Sequence, residues 1–124
     1  MKTKFLTCIT VLALALSPQA ASAHAQLTTS IPLANQTVEV LPKLLWIEFD
    51  GDLMTFGDKN PNEIKVLDSK LKRVDIGGTI IGGARISTKL KSGLIQGRYQ
   101  VKYRIVSEDG HPVEGNFFFT YRPK

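Results

Sequence analysis

Cysteine, histidine and methionine are scarce in this chain of 124 residues. It contains one cysteine, Cys8, two histidines, His24 and His111, and two methionines. Cys8 lies in an N-terminal apolar segment that we expect to be removed, so the folded part has no cysteine for a disulfide or a thiolate ligand. A transition-metal site in this chain would therefore have to use imidazole, amine or carboxylate groups.

The sequence also lacks an apolar run of the about 20 residues that a membrane-spanning helix needs. The apolar residues 5–16 follow two lysines and precede residues 21–23, which read Ala-Ser-Ala. A charged start, a short apolar core and a small-residue cut site are together typical of a secretory signal peptide. We therefore predict a cleaved signal peptide at residues 1–23 and a single exported domain at residues 24–124.

The cut site has one alternative, and no lipid anchor is predicted. Ala23 and Ala25 repeat the small-x-small pattern, so cleavage after Ala25 would remove His24 altogether. Cys8 lies inside the apolar run rather than directly after it, which argues against a lipoprotein. Because the signal resembles that of a bacterial exported protein, we expect a periplasmic location.

The net charge of the chain is too small to indicate a strongly charged partner. The formal net charge is +5, a mild excess that is typical of a solvated surface. Arg98, Lys102 and Arg104 share one face of a predicted strand, but no aromatic side chains lie between them on that face. Nucleic-acid binding is therefore not indicated.

Short runs with alternating apolar residues dominate the chain after the predicted signal. In the clearest run, the odd-numbered residues from Tyr99 to Ile105 are apolar or aromatic and the even-numbered ones are polar or basic. No run keeps a helical period over three turns, so the pattern indicates an all-β fold, an antiparallel sandwich or barrel. Strands are predicted at residues 44–49, 63–68, 98–107 and 113–122, with weaker candidates at 71–76 and 85–90.

The same alternation predicts a core and several turns. Trp46 lies on the face of Glu48 and is expected to be only partly buried. The glycine pairs 77–78 and 82–83 lack the Lys and Ser/Thr of a phosphate loop and predict a loop or bulge. Residues 58–62 begin like a calcium loop but lack its glycine, so they predict a turn. The predicted core is aromatic and consists of Phe49, Tyr99, Tyr103, Phe117, Phe119 and Tyr121.

His24 becomes the first residue of the exported chain if cleavage follows Ala23. Its free α-amine and its imidazole Nδ1 could then chelate one metal ion in a six-membered ring. An α-amine has a pKa of about 7.7–8.0, so a metal can displace its proton near neutral pH. The alternative is that His24 follows the cut site by chance. Gln26 occupies the third mature position, so the common copper motif with histidine third is absent.

Asp109 and His111 are two residues apart and point to the same side of an extended chain. Gly110 lets the backbone bend between them. Together with two nitrogens from His24 they could form a set of three nitrogens and one oxygen, which favours Cu(II) with Ni(II) as a competitor. The alternative is that Asp109 and Gly110 only form a common hairpin turn.

With these residues, the sequence resembles the CopC family of periplasmic copper-binding proteins over essentially the whole exported chain. Residues 24–27, His-Ala-Gln-Leu, and residues 30–32, Ser-Ile-Pro, resemble the family opening. Pro42 and residues 45–49 match its first core strand. Residues 103–115, YRIVSEDGHPVEG, resemble its most specific motif.

The resemblance implies a fold and a metal site. The fold is a Greek-key β-sandwich of about seven strands, immunoglobulin-like or cupredoxin-like. By motif, His24, Asp109 and His111 carry over as the ligands of one Cu(II) ion per chain. Some relatives add an acidic ligand after the first core strand, where this chain has Gly51 between two aspartates, so Asp50 and Asp52 are left out of the predicted site.

The resemblance also implies partners and the lack of a second metal site. Some family members bind Cu(I) through several methionines, but Met54 is the only methionine after the predicted signal. We therefore predict no Cu(I) site. The expected partners are a copper ion and an inner-membrane copper importer of the CopD type, and the expected state is a monomer.

The leading hypothesis is a non-enzymatic copper carrier, buffer or donor in copper homeostasis or resistance. One alternative is an oxidative enzyme with a copper-bound N-terminal histidine, like the copper brace of polysaccharide monooxygenases. Asp109 argues against it, because a bound carboxylate would fill the position that oxygen needs. The other alternative is a metal-free, immunoglobulin-like interaction module, because sandwiches host many functions.

Overall fold

The computed structural model describes residues 25–124, which fold into two four-stranded β-sheets. Residues 1–24 hold the predicted signal peptide and His24, so both predictions lie outside the described residues. Residues 25–124 contain no helix, and accordingly none that could cross a membrane. The eight strands are β1 (Leu27–Ile31), β2 (Thr37–Val38), β3 (Leu44–Phe49), β4 (Glu63–Leu67), β5 (Asp75–Gly82), β6 (Arg85–Leu90), β7 (Gly97–Val106) and β8 (Pro112–Tyr121).

The two sheets have the strand orders β1-β3-β6-β5 and β2-β8-β7-β4. The short β2 pairs with β8 in parallel, and the other strand pairs are antiparallel. Only β5–β6 and β7–β8 are hairpins within one sheet; the other connections cross between sheets, as in Greek-key sandwiches. The prediction of an all-β sandwich is confirmed. The strand count is eight rather than about seven.

The strongest alternating runs form strands where the sequence predicts them. β3 and β6 have the predicted bounds, and β7 and β8 begin and end one residue earlier than predicted. The sequence analysis missed two strands, β1 and β2. Both are short and carry little alternation, because β1 is mostly polar and exposed and β2 has two residues.

The predicted strand at residues 71–76 is wrong, because these residues begin as a tight turn. The side chain of Asp68 accepts hydrogen bonds from the backbone N–H groups of Lys70 (2.8 Å) and Lys72 (2.9 Å). β5 begins only at Asp75 and continues through Gly77 and Gly78, which both have φ of 79°. The pairing of β5 with β6 shifts register there, so the predicted bulge is confirmed.

The core lies between the sheets and follows the predicted alternation. Phe49, Tyr99, Phe117 and Phe119 are buried, as predicted. Tyr103 and Tyr121, also predicted core residues, are partly buried and pack against the same cluster. The aliphatic centre, which consists of Leu45, Ile47, Ile64, Val66, Ile86, Val101 and Ile105, is fully buried. Trp46 is half-buried as predicted, with the Arg85 guanidinium 3.8 Å from its ring centre.

One end of the sandwich carries residues 50–62, between β3 and β4, and residues 107–111, between β7 and β8. Leu53 and Ser107 form a bridge between these two segments. The backbone N–H of Met54 donates to the carbonyl of Val106 at 2.8 Å. Because the predicted ligands Asp109 and His111 lie here, we call it the site end.

The opposite end carries three other connections. The hydroxyl of Tyr99 donates to the carbonyl of Ile95, and the N–H of Lys91 donates to the carbonyl of Val74 at 2.9 Å. The first bond holds residues 91–96 against β7, and the second joins residues 91–96 to residues 68–74. Because lysines are concentrated in this region, we call it the basic end. Its three connections are residues 39–43, 68–74 and 91–96.

Candidate metal centre

The β7–β8 hairpin closes through a tight turn that carries both described candidate ligands. The N–H of Gly110 donates to the carbonyl of Ser107 at 2.9 Å. Gly110 has φ of 79°, in the left-handed region that a glycine occupies without steric cost. The hairpin turn considered in the sequence analysis is therefore present, and it places Asp109 and His111 on the same turn.

Asp109 and His111 contact one another directly. Oδ1 of Asp109 accepts hydrogen bonds from the hydroxyl of Ser107 and from the backbone N–H of His111, the latter at 3.1 Å. Oδ2 of Asp109 lies 3.1 Å from Nδ1 of His111. The Asp109 side chain is 20% exposed and the His111 side chain 67%. The turn thus presents a fixed carboxylate and an accessible imidazole as a pair.

The turn lowers the pKa of Asp109 to about 2. The largest cause is the hydrogen bond from the Ser107 hydroxyl, followed by the backbone N–H of His111. Both donors stabilise the ionised form of the carboxyl group. Asp109 is therefore a carboxylate throughout the neutral range, so a metal ion would not have to displace a proton from it.

The spacing within the pair fits two neighbouring ligands of one small divalent cation. Metal–nitrogen and metal–oxygen bonds to His and Asp are about 2.0–2.2 Å, so two ligands at right angles lie about 2.8–3.1 Å apart. The observed Nδ1–Oδ2 distance is 3.1 Å. A cation could therefore replace the shared proton of the pair with little movement of the turn. A nitrogen–oxygen pair of this kind suits Cu(II) or Ni(II) better than a hard cation such as Ca²⁺.

The structure brings Asp109 and His111 together, whereas the third predicted ligand, His24, lies outside the described residues. Within residues 25–124, no group of three His, Cys, Asp or Glu side chains could hold a metal ion. The described residues thus offer two of the predicted ligands. A complete site requires a further donor.

The residues that follow His24 are anchored at the site end. Ala25 is buried in the core. The backbone N–H of Gln26 donates to Oδ1 of Asp50 at 2.8 Å, and the N–H of Asp50 donates to the carbonyl of Gln26 at 2.9 Å. Asp50 is three residues before Leu53, which bridges to Ser107. The described chain therefore begins beside the loop that is bonded to the Asp109 turn.

Asp50 and Asp52, which the sequence analysis left out of the site, have other partners or neighbours. The Asp50 carboxylate accepts the Gln26 N–H described above, so it holds the N-terminal segment. A carboxylate oxygen of Asp52 faces Gly83, and Leu53 donates its N–H to the carbonyl of Gly83 at 3.0 Å. Asp50 thus has a structural role at the site end.

Two residues that support the turn were missed by the sequence analysis. Ser107 is buried and supplies the hydroxyl that Asp109 accepts. Asn62 is 4% exposed; its Oδ1 accepts the N–H of Val106 and its Nδ2 donates to the carbonyl of Met54, each at 2.8 Å. The sequence shows Asn62 only as part of a turn. A polar residue immediately before a predicted strand is the one signal that could have drawn attention to it.

The chain is therefore a small β-sandwich protein that carries a candidate metal centre at one end. The centre is a carboxylate–imidazole pair on a hairpin turn. The chain belongs to the CopC family, because the CopC domain matches residues 27–122. The resemblance found in the sequence is thereby confirmed.

Several relatives carry this fold or sequence. The chain is 32% identical to protein YobA of Escherichia coli K12, over 81% of this chain and 80% of that protein. It is also 32% identical to the copper transport protein CutJ of Bacillus subtilis, over 90% of this chain but 20% of that protein. It therefore corresponds to about a fifth of CutJ.

Solved structures show the same architecture. CopC from Methylosinus trichosporium OB3b has a TM-score of 0.70 and 32% identity, covering 81% of this chain and 95% of that one. PcoC, described as a methionine-rich copper resistance protein from Escherichia coli, has a TM-score of 0.62 and 25% identity, covering 80% of this chain and 99% of that one. The eight-stranded sandwich of this chain is thus similar to the folds of CopC and PcoC.

Proposed function

We propose that this chain is a periplasmic copper-binding protein of copper homeostasis and resistance, and that it binds one Cu(II) ion through His24, Asp109 and His111. The observation that carries the proposal is the Asp109–His111 pair, whose Oδ2 and Nδ1 atoms lie 3.1 Å apart on a hydrogen-bonded turn. The CopC family membership, and the copper resistance and transport roles in the names of PcoC and CutJ, support copper as the metal.

Each ligand has a defined part in the proposed site. Cleavage after Ala23 would free the α-amine of His24, which would bind together with its own imidazole. Asp109 supplies a negative charge, because its lowered pKa keeps it ionised. His111 supplies the third nitrogen. This set of three nitrogens and one oxygen matches the tetragonal preference of Cu(II). The two hydrogen bonds between Gln26 and Asp50 hold the chain at a point two residues after His24, which supports His24 as a ligand at this end.

The protein would act as a carrier, buffer or donor and not as an enzyme. Its copper is a cargo, held by a short segment and one turn, and is handed to an inner-membrane importer of the CopD type. The match of this chain to about a fifth of CutJ supports a metal-binding unit that works beside a larger transport protein. The monomeric state and the signal peptide at residues 1–23 are parts of the same proposal, and the domain begins at His24.

Cu(II) is proposed as the bound state, without a Cu(I) site. The name of PcoC describes a methionine-rich protein, whereas Met54 is the only methionine of residues 24–124. Thioether ligands stabilise Cu(I), and one thioether is not enough for such a site. An exchange between Cu(I) and Cu(II) sites within one molecule is therefore not part of the proposal.

The intact mass of the exported protein, with and without one equivalent of Cu(II) under native conditions, tests the proposal. A mass corresponding to residues 24–124, increased by one copper, is the expected result. A chain beginning at Gln26 that retains no copper would contradict the proposed ligand set and favour the metal-free interaction module. Sustained peroxide formation from oxygen and a reductant by the copper form would instead favour the oxidative enzyme.

A further inference from the structure

The basic end exposes one large aliphatic side chain on each of its three connections. Val40 is 81% exposed, Leu71 is 72% exposed and Ile95 is 78% exposed. Scattered exposed aliphatic residues are common on protein surfaces. Here, however, the three most exposed of the large apolar side chains in residues 25–124 all lie at the same end of the sandwich.

Lysines flank these three apolar tips. None of these lysines forms an ion pair within residues 25–124. Of the two acidic groups nearby, Glu39 pairs with Lys124 at 3.4 Å and Asp68 accepts backbone N–H groups of its own turn. The three connections contain five Lys and Arg side chains against these two carboxylates, so the end keeps an excess of positive charge. The flanking lysines are Lys43, Lys70, Lys72 and Lys91.

Hydrogen bonds of the fold hold the two connections that carry Ile95 and Leu71. Tyr99 and Lys91 fix the connection that carries Ile95, through the bonds to the Ile95 and Val74 carbonyls. Residues 39–43 and 91–94 line one common groove. Leu71 has φ of 63°, a left-handed conformation that residues other than glycine, asparagine and aspartate rarely adopt. The turn therefore presents Leu71 at a conformational cost that a glycine or asparagine would largely avoid.

From these observations we propose that the basic end binds the surface of an anionic phospholipid bilayer. In this mode Val40, Leu71 and Ile95 enter the interface between headgroups and acyl chains, and the flanking lysines contact the lipid phosphates. Apolar groups combined with Lys or Arg are the pattern by which peripheral proteins lie on anionic membranes. Each group alone gives weak binding, and the combination adds their contributions.

A lipid surface fits these residues better than a protein partner. Protein interfaces have a packed apolar centre and are depleted in lysine. At the basic end the three aliphatic tips lie on three different connections, and each connection also carries at least one lysine. A bilayer accepts separate tips, because its headgroup region deforms around each one, and it attracts each lysine through the surface potential.

Binding in this way would direct the candidate metal centre away from the membrane. β7 connects the two ends of the sandwich and has 10 residues, which span about 33 Å at about 3.3 Å per residue. The Asp109 turn would then lie roughly 30 Å from the lipid surface. The inference does not depend on copper, so it holds or fails separately from the proposed function.

Sedimentation with lipid vesicles tests the inference on protein purified from the exported fraction. Vesicles of equal parts phosphatidylglycerol and phosphatidylcholine should bind the protein, and vesicles of phosphatidylcholine alone should bind it much more weakly. The combined change Lys70→Gln, Lys72→Gln and Lys91→Gln should weaken binding to the anionic vesicles about a hundredfold. Raising the salt concentration should weaken it in the same direction.

A second variant tests the apolar tips, and a third is the matched control. Val40→Ser with Leu71→Asn and Ile95→Ser should lower binding at least about tenfold; these side chains are exposed, so the fold should persist. Phe56→Ser with Lys59→Gln removes one exposed apolar and one basic group at the site end and should leave binding unchanged.

Three results of the vesicle experiments would overturn the inference. These are equal binding to both kinds of vesicle, a loss of binding in the Phe56 and Lys59 control as large as in the basic-end variants, and no binding at all. A concentration-dependent dimer in ultracentrifugation that disappears in the Val40, Leu71 and Ile95 variant would also overturn it, because it would assign the surface to a second copy of the chain.

Discussion

The two ends of the sandwich have opposite charge and opposite kinds of exposed group. At the site end, residues 50–62 and 107–111 contain five Asp and Glu side chains and one lysine. At the basic end, residues 39–43, 68–74 and 91–96 contain five Lys and Arg side chains and two acids. The first end concentrates oxygen and nitrogen ligands, and the second concentrates lysines and apolar tips.

The difference shows how one sandwich can separate two tasks. The sheets between the ends enclose a core of buried apolar side chains, and the loops at each end carry the polar and charged groups without disturbing it. Acidic groups around the site end would attract a cation and repel an anionic surface. The basic end would do the reverse. Variants at each end should therefore affect one property and leave the other unchanged.

Replacing His111 has the largest expected effect and should act on the site end only. His111→Ala removes one nitrogen ligand, so the affinity for Cu(II) should fall at least about tenfold, since loss of a group that only supports a ligand already costs that much. Because the side chain is 67% exposed, thermal stability should change little. Titration followed by the visible absorption of Cu(II) measures the affinity.

Glu108→Ala is the matched control for His111→Ala. Glu108 is an exposed acidic residue on the same turn, but it is not a proposed ligand. Its removal should change the Cu(II) affinity far less. Equal losses in the two variants would mean that the turn attracts copper by general charge only, and the proposed ligand set would then be wrong.

Replacing Asn62 should weaken the support of the site end. Asn62→Ala leaves the N–H of Val106 and the carbonyl of Met54 without their partner, which costs about 1–3 kcal/mol in the free energy of unfolding. The Cu(II) affinity should fall less than in His111→Ala. Urea unfolding measures the first effect. Asn116→Ala, on an exposed strand face, is the control and should be near neutral; a near-neutral Asn62→Ala would contradict the supporting role.

Much of the fold was predictable, because β3, β4, β7 and β8 alternate strongly and are half-buried. The turn after Asp68 was not, because its conformation depends on one carboxylate that accepts two backbone N–H groups. Two ligand candidates, Asp109 and His111, were visible from their spacing. The support by Asn62 was not, because its contact with Val106 joins residues that are 44 positions apart.

Ser107→Ala should raise the pKa of Asp109, since the Ser107 hydroxyl is the largest cause of its value of about 2. The pKa should move toward the ordinary value of about 3.9. A lowered folded-state pKa adds stability above the unfolded-state pKa, and that stability is lost as the pH falls through about 2. The variant should gain less of this stability at neutral pH, because its folded-state pKa lies closer to the unfolded-state pKa. Carbon NMR of the carboxyl group in the metal-free protein measures the pKa.

Ser92→Ala, which makes the same chemical change at the basic end, is the control for Ser107→Ala. It should leave the pKa of Asp109 unchanged. An unchanged pKa in Ser107→Ala would show that the backbone N–H of His111, rather than the hydroxyl, holds the carboxylate in its ionised form.

The smallest expected effect compares the two turns directly, since each has one residue in the left-handed region. The site end uses Gly110, with φ of 79°, whereas the basic end uses Leu71, with φ of 63°. Leu71→Asn should raise the free energy of unfolding by about 0.5–1 kcal/mol, because asparagine tolerates this conformation better. Gly110→Ala should lower the free energy of unfolding by about 1 kcal/mol, because alanine tolerates the left-handed conformation less well than glycine does. If thermal unfolding shows that Leu71→Asn destabilises the protein instead, then Leu71 stabilises the folded state itself. Its exposure would then no longer indicate a membrane contact. If Leu71→Asn stabilises the protein and also weakens its binding to vesicles, then Leu71 lowers the stability of the fold but contributes to membrane binding. The proposed membrane contact predicts this result.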